Sequence, residues 1–287
     1  MPTVKRDEID ITYEVSGSGP PIVLTHSFLC SGDMWTHQVP ALAQRYQVIN
    51  VDNRGHGRSG PSAKPFTLYD MVADVMTVLD EVGVARAVWV GLSIGGMLSM
   101  RAALVVPERV RALVLADTDA GRETPWKHLK YRVLGWMLRT LGPAPVVPQV
   151  TAIMFGRTTR RRQPGLVAEY GRRFAGVHVP SVSAGIGALV GRDDVLPRLR
   201  QVGVPTLVIV GAEDRPLPVK LSRSIADAIP NAELVVLDGA GHLSALEQPA
   251  AFNKALLGFL ARVHGSPSVV ETAPPREPRR GSQDATR

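Results

Sequence analysis

The residues best placed to do chemistry begin with Ser93. It lies in Gly91-Leu92-Ser93-Ile94-Gly95-Gly96, a G-x-S-x-G pattern. The apolar run Ala87-Val88-Trp89-Val90 comes before it, and a helix-forming stretch to about Val105 comes after. A strand, a tight turn and a helix are the context in which this pattern presents a nucleophile. So sharp a turn forces its central residue into a strained backbone conformation, and the flanking glycines let the chain pass close by. The hydroxyl is then held at the carboxyl edge of a sheet. The free N–H groups of a helix N-terminus beside it favour an anion.

A serine hydroxyl is a poor nucleophile without a base, and the base needs an orienting acid. Of seven histidines, His242 in Gly239-Ala240-Gly241-His242-Leu243 follows the last apolar strand and reaches the same edge. It is read as the general base. Asp214, in Gly211-Ala212-Glu213-Asp214 after the strand Thr206–Val210, is read as the acid. Glu213 is one residue out of phase and points elsewhere. Asp117 and Asp119, after the preceding strand, are the alternative acid. The developing oxyanion needs N–H donors. One is the main chain of Ile94, directly after the nucleophile. The other is the main chain of Phe28, in His26-Ser27-Phe28-Leu29 after the strand Ile22–Leu24. A reaction of this kind uses no metal and no organic cofactor. The single cysteine, Cys30, excludes an intramolecular disulfide and argues against a cysteine zinc site.

The elements that must position these groups follow a regular rhythm. Strands are read at Val4–Ile9, Ile11–Val15, Ile22–Leu24, Gln47–Val51, Ala87–Val90, Arg111–Ala116, Pro205–Val210 and Glu233–Leu237. Thr67-Leu68-Tyr69-Asp70 has the form of a capping box. Behind it, Leu68, Met71, Val72, Val75, Val78, Leu79 and Val82 keep the spacing of an amphipathic helix. Further helices are expected at about Lys220–Ile229 and Pro249–Val263. Apolar strands alternating with helices predict a mostly parallel sheet covered on both faces. Between Ala120 and Pro197 the rhythm stops. Trp126, Leu129, Val133, Trp136, Met137 and Leu141 fall there at helical spacing, so residues 120–197 are read as a helical cap on a core of residues 1–119 and 198–264. The end, 265–287, rich in Pro, Ser, Glu and Arg, is read as a disordered tail.

Composition bounds the rest. The 287 residues are 45% hydrophobic and 21% charged, enough to bury a large core without staples. The start has no apolar signal region and no run is long enough to span a membrane, which predicts a cytoplasmic protein with no membrane partner. The formal charge is +7, and it is uneven. Residues 120–200 hold fourteen Lys or Arg against four Asp or Glu, while the remainder is mildly acidic. Aromatics are only 5% and no nucleic-acid motif is present, so nucleic acid is not expected. Two readings of Arg157, Arg160, Arg161, Arg162, Arg172 and Arg173 stand side by side. They form a solvated face, or their field attracts an anionic substrate. The oligomeric state is not legible.

With these residues in view, the chain resembles the α/β-hydrolase superfamily, in the order Ser93, Asp214, His242, over about Tyr13–Leu260. Val51-Asp52-Asn53-Arg54-Gly55-His56-Gly57-Arg58-Ser59 matches the family's D-x-R-G-x-G-x-S segment, which implies a structural brace and makes His56 a loop residue. One departure stands out. The family has His-Gly before the oxyanion residue where this chain has His26-Ser27. Ser rather than Asp at the elbow argues against the dehalogenases and epoxide hydrolases of the superfamily. Gly32-Asp33-Met34-Trp35 and Gly241-His242-Leu243-Ser244 are similar to 3-oxoadipate enol-lactonases and haloperoxidase-like esterases. The resemblance implies a serine hydrolase of a small carboxylic ester or lactone. The alternatives are a C–C bond hydrolase of the meta-cleavage type and a signal-binding protein that keeps the triad without turnover.

Overall fold

The computed structural model describes residues 1–265. Of the tail read from the sequence, only Gly265 falls within the described residues. The apolar runs form one eight-stranded sheet: β1 (Thr3–Arg6), β2 (Ile9–Ser16), β3 (Pro21–Thr25), β4 (Gln47–Val51), β5 (Ala87–Leu92), β6 (Val110–Ala116), β7 (Thr206–Gly211) and β8 (Glu233–Leu237). Their order is β1-β2-β4-β3-β5-β6-β7-β8. β1 and β2 run antiparallel to their neighbours, and every pairing from β4–β3 onward is parallel.

The sequence reading ran one strand from Val4 to Ile9. The structure turns the chain at Asp7 and Glu8 instead, with Asp7 at φ 55°, and pairs Val4 with Ile11 across the hairpin. A short polar side chain tolerates that left-handed backbone, so a polar alternating stretch hides the turn.

Parallel strands buried on both faces need apolar residues in both phases. β5 provides them: Trp89 packs into one core layer and Val88, Val90 and Leu92 into the other. The helices are α1 (Val39–Leu42), α2 (Leu68–Glu81), α3 (Ile94–Val105), α4 (Pro125–Leu141), α5 (Val147–Met154), α6 (Arg157–Arg162), α7 (Pro164–Ala175), α8 (Val179–Val190), α9 (Val219–Ala228), α10 (Ser244–Glu247) and α11 (Pro249–His264). α2, α3 and α9 contribute to one layer, α1, α5 and α11 to the other. The capping box of α2 is formed: Asp70 N–H donates to Thr67 Oγ1 (3.2 Å) and Thr67 N–H to Asp70 Oδ2 (2.8 Å). Among the described residues, no helix is long and apolar enough to cross a membrane.

Five helices, α4 to α8, fill the chain between β6 and β7. Buried Arg192 fastens their return to the sheet. It donates to Glu123 (2.9 Å), Asp119 (3.1 Å) and the Gly121 carbonyl (2.8 Å). Next to it, Asp193 accepts two bonds from the fully buried Arg101 on α3. α4 covers the helical stripe noticed in the sequence, but of its six residues Met137 alone packs against the core. Leu134 and Leu138 turn inward, while Trp126, Leu129, Val133, Trp136 and Leu141 face solvent.

Candidate active site

The site is built at the carboxyl ends of β5, β7 and β8. Ser93 caps α3 with φ 57° and ψ −115°, the strained conformation that the sharp turn imposes. Close packing excuses the strain. A Cβ on Gly91 would collide with the Gly95 carbonyl, and one on Gly95 with the Thr25 carbonyl. The elbow is pinned from the neighbouring strand, since Ser93 N–H donates to Ala116 O (2.9 Å) and Thr118 Oγ1 donates to Ser93 O (2.7 Å).

The structure brings Ser93, His242 and Asp214 together. Ser93 Oγ lies 3.0 Å from His242 Nε2, and His242 Nδ1 lies 2.9 Å from Asp214 Oδ2. A carboxylate only accepts, so Nδ1 carries the proton and Nε2 is left to accept from the serine hydroxyl. The second oxygen of Asp214 accepts from Leu217 N–H (2.9 Å), which fixes the carboxylate plane. All three residues are buried. Burial would lower the His242 pKa, but the charge and hydrogen bond of Asp214 and the charges of Asp117 and Glu247 together outweigh it. The net shift is upward.

The alternative acids lie elsewhere. Asp119 pairs with Arg192. Asp117 sits one strand over from Asp214, where it accepts from Gly211 N–H (2.8 Å) and from the backbone and hydroxyl of Ser244. It thereby ties the end of β7 to the loop that carries His242. Burial and the neighbouring Asp214 push its pKa well above the usual carboxylate range. Glu213 points away from the site, accepting from Thr158 N–H (2.8 Å) and Oγ1 (2.7 Å).

Ile94 opens α3 directly after Ser93. Phe28 stands in the loop after β3, which folds back as Cys30 N–H donates to Ser27 O (3.1 Å) and Leu29 takes φ 66°. The Phe28 ring meets His56 edge-on (5.3 Å between centroids) and abuts Gly185 of α8. Ser27 is fully buried, and its hydroxyl has no partner among the described residues. The segment Asp52–Ser59 braces this loop. Asn53 N–H donates to His26 Nε2 (2.8 Å), and Gly32 N–H and Arg58 N–H donate to Asp52. Arg54 forms a two-pronged pair with Asp74. His56 Nδ1 donates to Arg54 O (3.0 Å), and burial and the nearby His26 lower its pKa to about 4.

The junction of α5 and α6 rests on the loops that carry Asp214 and His242, which sequence reasoning missed. His242 N–H donates to Met154 O (3.0 Å). Glu247, buried, accepts from Gly156 N–H (2.8 Å) and Leu243 N–H (3.0 Å). Gly156 and Gly241 approach so closely that neither has room for a Cβ. No spacing announces contacts about ninety residues apart; only the glycines hint at them. Of the six arginines singled out, Arg157, Arg161, Arg162, Arg172 and Arg173 are exposed and Arg160 is half-buried. Arg173 lines a cleft of about 510 Å³ with Leu29, His56 and His178, and pairs with Asp33 and Glu169.

Comparison with known proteins places these features in context. A family described as "alpha/beta hydrolase fold" matches residues 20–249. A protein of Azorhizobium caulinodans, provisionally named carbamate hydrolase RutD, is 31% identical over 92% of this chain and 99% of its own length. 3-Oxoadipate enol-lactonase 2 of Acinetobacter baylyi is 27% identical, covering 91% and 96% of the two chains. The structure of a thermophilic esterase from Thermogutta terrifontis superposes with a TM-score of 0.86 at 28% identity, covering 90% of this chain and 95% of that one.

Proposed function

Because the chain belongs to the α/β-hydrolase fold family, we propose that it is a serine hydrolase cleaving a small carboxylic ester or lactone through an acyl-enzyme. The observation that carries this reading is the relay from Ser93 Oγ to His242 Nε2 (3.0 Å) and from His242 Nδ1 to Asp214 (2.9 Å). Ser93 Oγ attacks the carbonyl carbon as His242 Nε2 takes its proton. Asp214 holds the ring and balances the imidazolium. The main-chain N–H groups of Ile94 and Phe28 receive the oxyanion. His242 returns the proton to the leaving oxygen. Water then repeats the attack on the acyl-enzyme, restoring Ser93 and releasing the acid. The steps need no metal or organic cofactor.

Hydrolysis at an acyl carbon is common to the named activities of the relatives: carbamate, enol-lactone and ester. We take residues 120–197 as a cap on a core of residues 1–119 and 198–264, and the protein as working in the cytoplasm. The excess of Lys and Arg over residues 120–200 supports an anionic substrate. The test is a panel of esters, lactones and carbamates with and without a free carboxylate, run against wild type and Ser93→Ala. The reading expects multiple turnovers on at least one class and loss of them in Ser93→Ala. For a carboxylate-bearing substrate steered by the cap, kcat/KM falls with salt while its uncharged analogue is unaffected.

A further inference from the structure

α4 presents its apolar stripe to solvent. Trp126, Leu129, Val133 and Trp136 are 65, 50, 48 and 56% exposed. At 100° per residue they fall along one outward stripe. The opposite side, with Leu134 and Leu138, roofs a narrow apolar cavity of about 30 Å³ that Phe28 also lines. The stripe has cationic borders. On one side the Lys130 ammonium sits 5.5 Å over the Trp126 ring, and on the other Arg132 and Arg139 are exposed. Between Pro125 and Leu141 there is no Asp or Glu. Single exposed apolar residues are ordinary, but four large ones in a row mark a surface that something covers. The other two tryptophans, Trp35 and Trp89, are fully buried, so this pattern belongs to α4 alone.

We propose that α4 docks the protein on an anionic lipid surface, with Trp126 and Trp136 at the boundary between headgroups and acyl chains and Lys130, Arg132 and Arg139 against lipid phosphates. Charge complementarity selects this occupant. A tryptophan-bearing apolar stripe with basic borders matches an interface that is apolar inside and negative outside. A second copy laid on the same face would set like charges against each other with no acid on the helix to compensate. A nucleic acid would neutralise the cations and leave the apolar stripe in water. The docking is peripheral, so it needs no spanning helix. It departs from the expectation of no membrane partner, which rested on the lack of a span.

The experiment is flotation of the full chain with vesicles of phosphatidylcholine, with or without about a third phosphatidylglycerol, read by bound fraction and tryptophan emission. The expected result is binding to the anionic vesicles alone, with a blue shift that Trp126→Ser and Trp136→Ser together remove. Changing Lys130, Arg132 and Arg139 to Gln weakens binding about a hundredfold, roughly fivefold per cation. These side chains are exposed, so the variants keep their fold. Failure of the wild type to bind anionic vesicles overturns the proposal. So does equal binding by the Gln variant, or a concentration-dependent dimer that Trp136→Ser abolishes in the absence of vesicle binding.

Discussion

Asp117 and Asp214 stand at the ends of neighbouring strands, both buried, and it is Asp214 that meets the His242 ring. Asp117 is turned toward Gly211 and Ser244. Burial and the charge of Asp214 push its carboxyl upward. Asparagine should therefore harm turnover less at Asp117, which does not touch the ring, than at Asp214. Asp214→Asn is expected to lower kcat about 10³- to 10⁴-fold, because the ring loses its charge partner and its tautomer. Asp117→Asn should cost less, about 10- to 100-fold, because it leaves the ring's partner in place but sets an amide N–H against the N–H of Gly211 or Ser244. Steady-state kinetics of both variants decide the assignment, and a larger loss at Asp117 would reverse it.

The pH dependence of turnover follows from His242. The base must be neutral to accept the serine proton, so kcat/KM rises with pH through its pKa. Burial is the largest single influence, but the charge and hydrogen bond of Asp214 together with the charges of Asp117 and Glu247 outweigh it and hold that pKa above the ordinary imidazole value of 6.5. The acidic limb should therefore lie above pH 6.5 in the wild type and move down in Asp214→Asn as far as residual activity allows. A wild-type limb well below 6.5 would contradict the relay.

His56 makes a separate statement about stability. Burial and the neighbouring His26 hold its folded pKa near 4, so the native state keeps it neutral while the unfolded chain binds a proton from about 6.5 downward. Stability is full above the unfolded value and is lost as pH falls toward 4. The single group contributes about 3 kcal/mol to that loss. His26, lowered chiefly by burial, acts in the same direction. Denaturant titrations between pH 7 and 4.5 should show a shallower fall for His56→Asn, whose amide can still donate to Arg54 O. An unchanged slope would remove His56 from the account.

Gly91 is demanded by space rather than by its φ. Its missing Cβ would occupy the Gly95 carbonyl and the Gly96 nitrogen, which are backbone and cannot swing aside. Gly91→Ala should cost about 3 kcal/mol or more. Gly83 has φ 75° but nothing near its missing Cβ, so Gly83→Ala should cost only about 1–2 kcal/mol. Melting temperatures of the two variants test the ranking.

Much of this architecture could be read in advance because it is local. The elbow is written in six residues, and the apolar runs around it identify the strand and helix by periodicity alone. His242 and Asp214 were reachable because each follows an apolar strand at the same edge of the sheet. The hairpin at Asp7 was hidden, since a polar turn between polar strands leaves no break in the pattern. Glu247 and Thr158 were also out of reach. Their partners are distant in sequence, and a buried carboxylate accepting main-chain N–H groups has no spacing signature. α4 shows the limit of amphipathicity: a stripe at helical spacing predicts the helix but not which side meets the core.

The central claim is that Ser93 is the nucleophile. Its most direct measurement is intact-protein mass spectrometry after brief exposure to an activated acetyl ester, followed by peptide mapping. The account predicts one acetyl adduct, located on Ser93, that disappears with time as turnover proceeds and never forms in a Ser93→Ala variant of unchanged melting temperature. An adduct on another residue, or ester hydrolysis by Ser93→Ala at the wild-type rate, would contradict it.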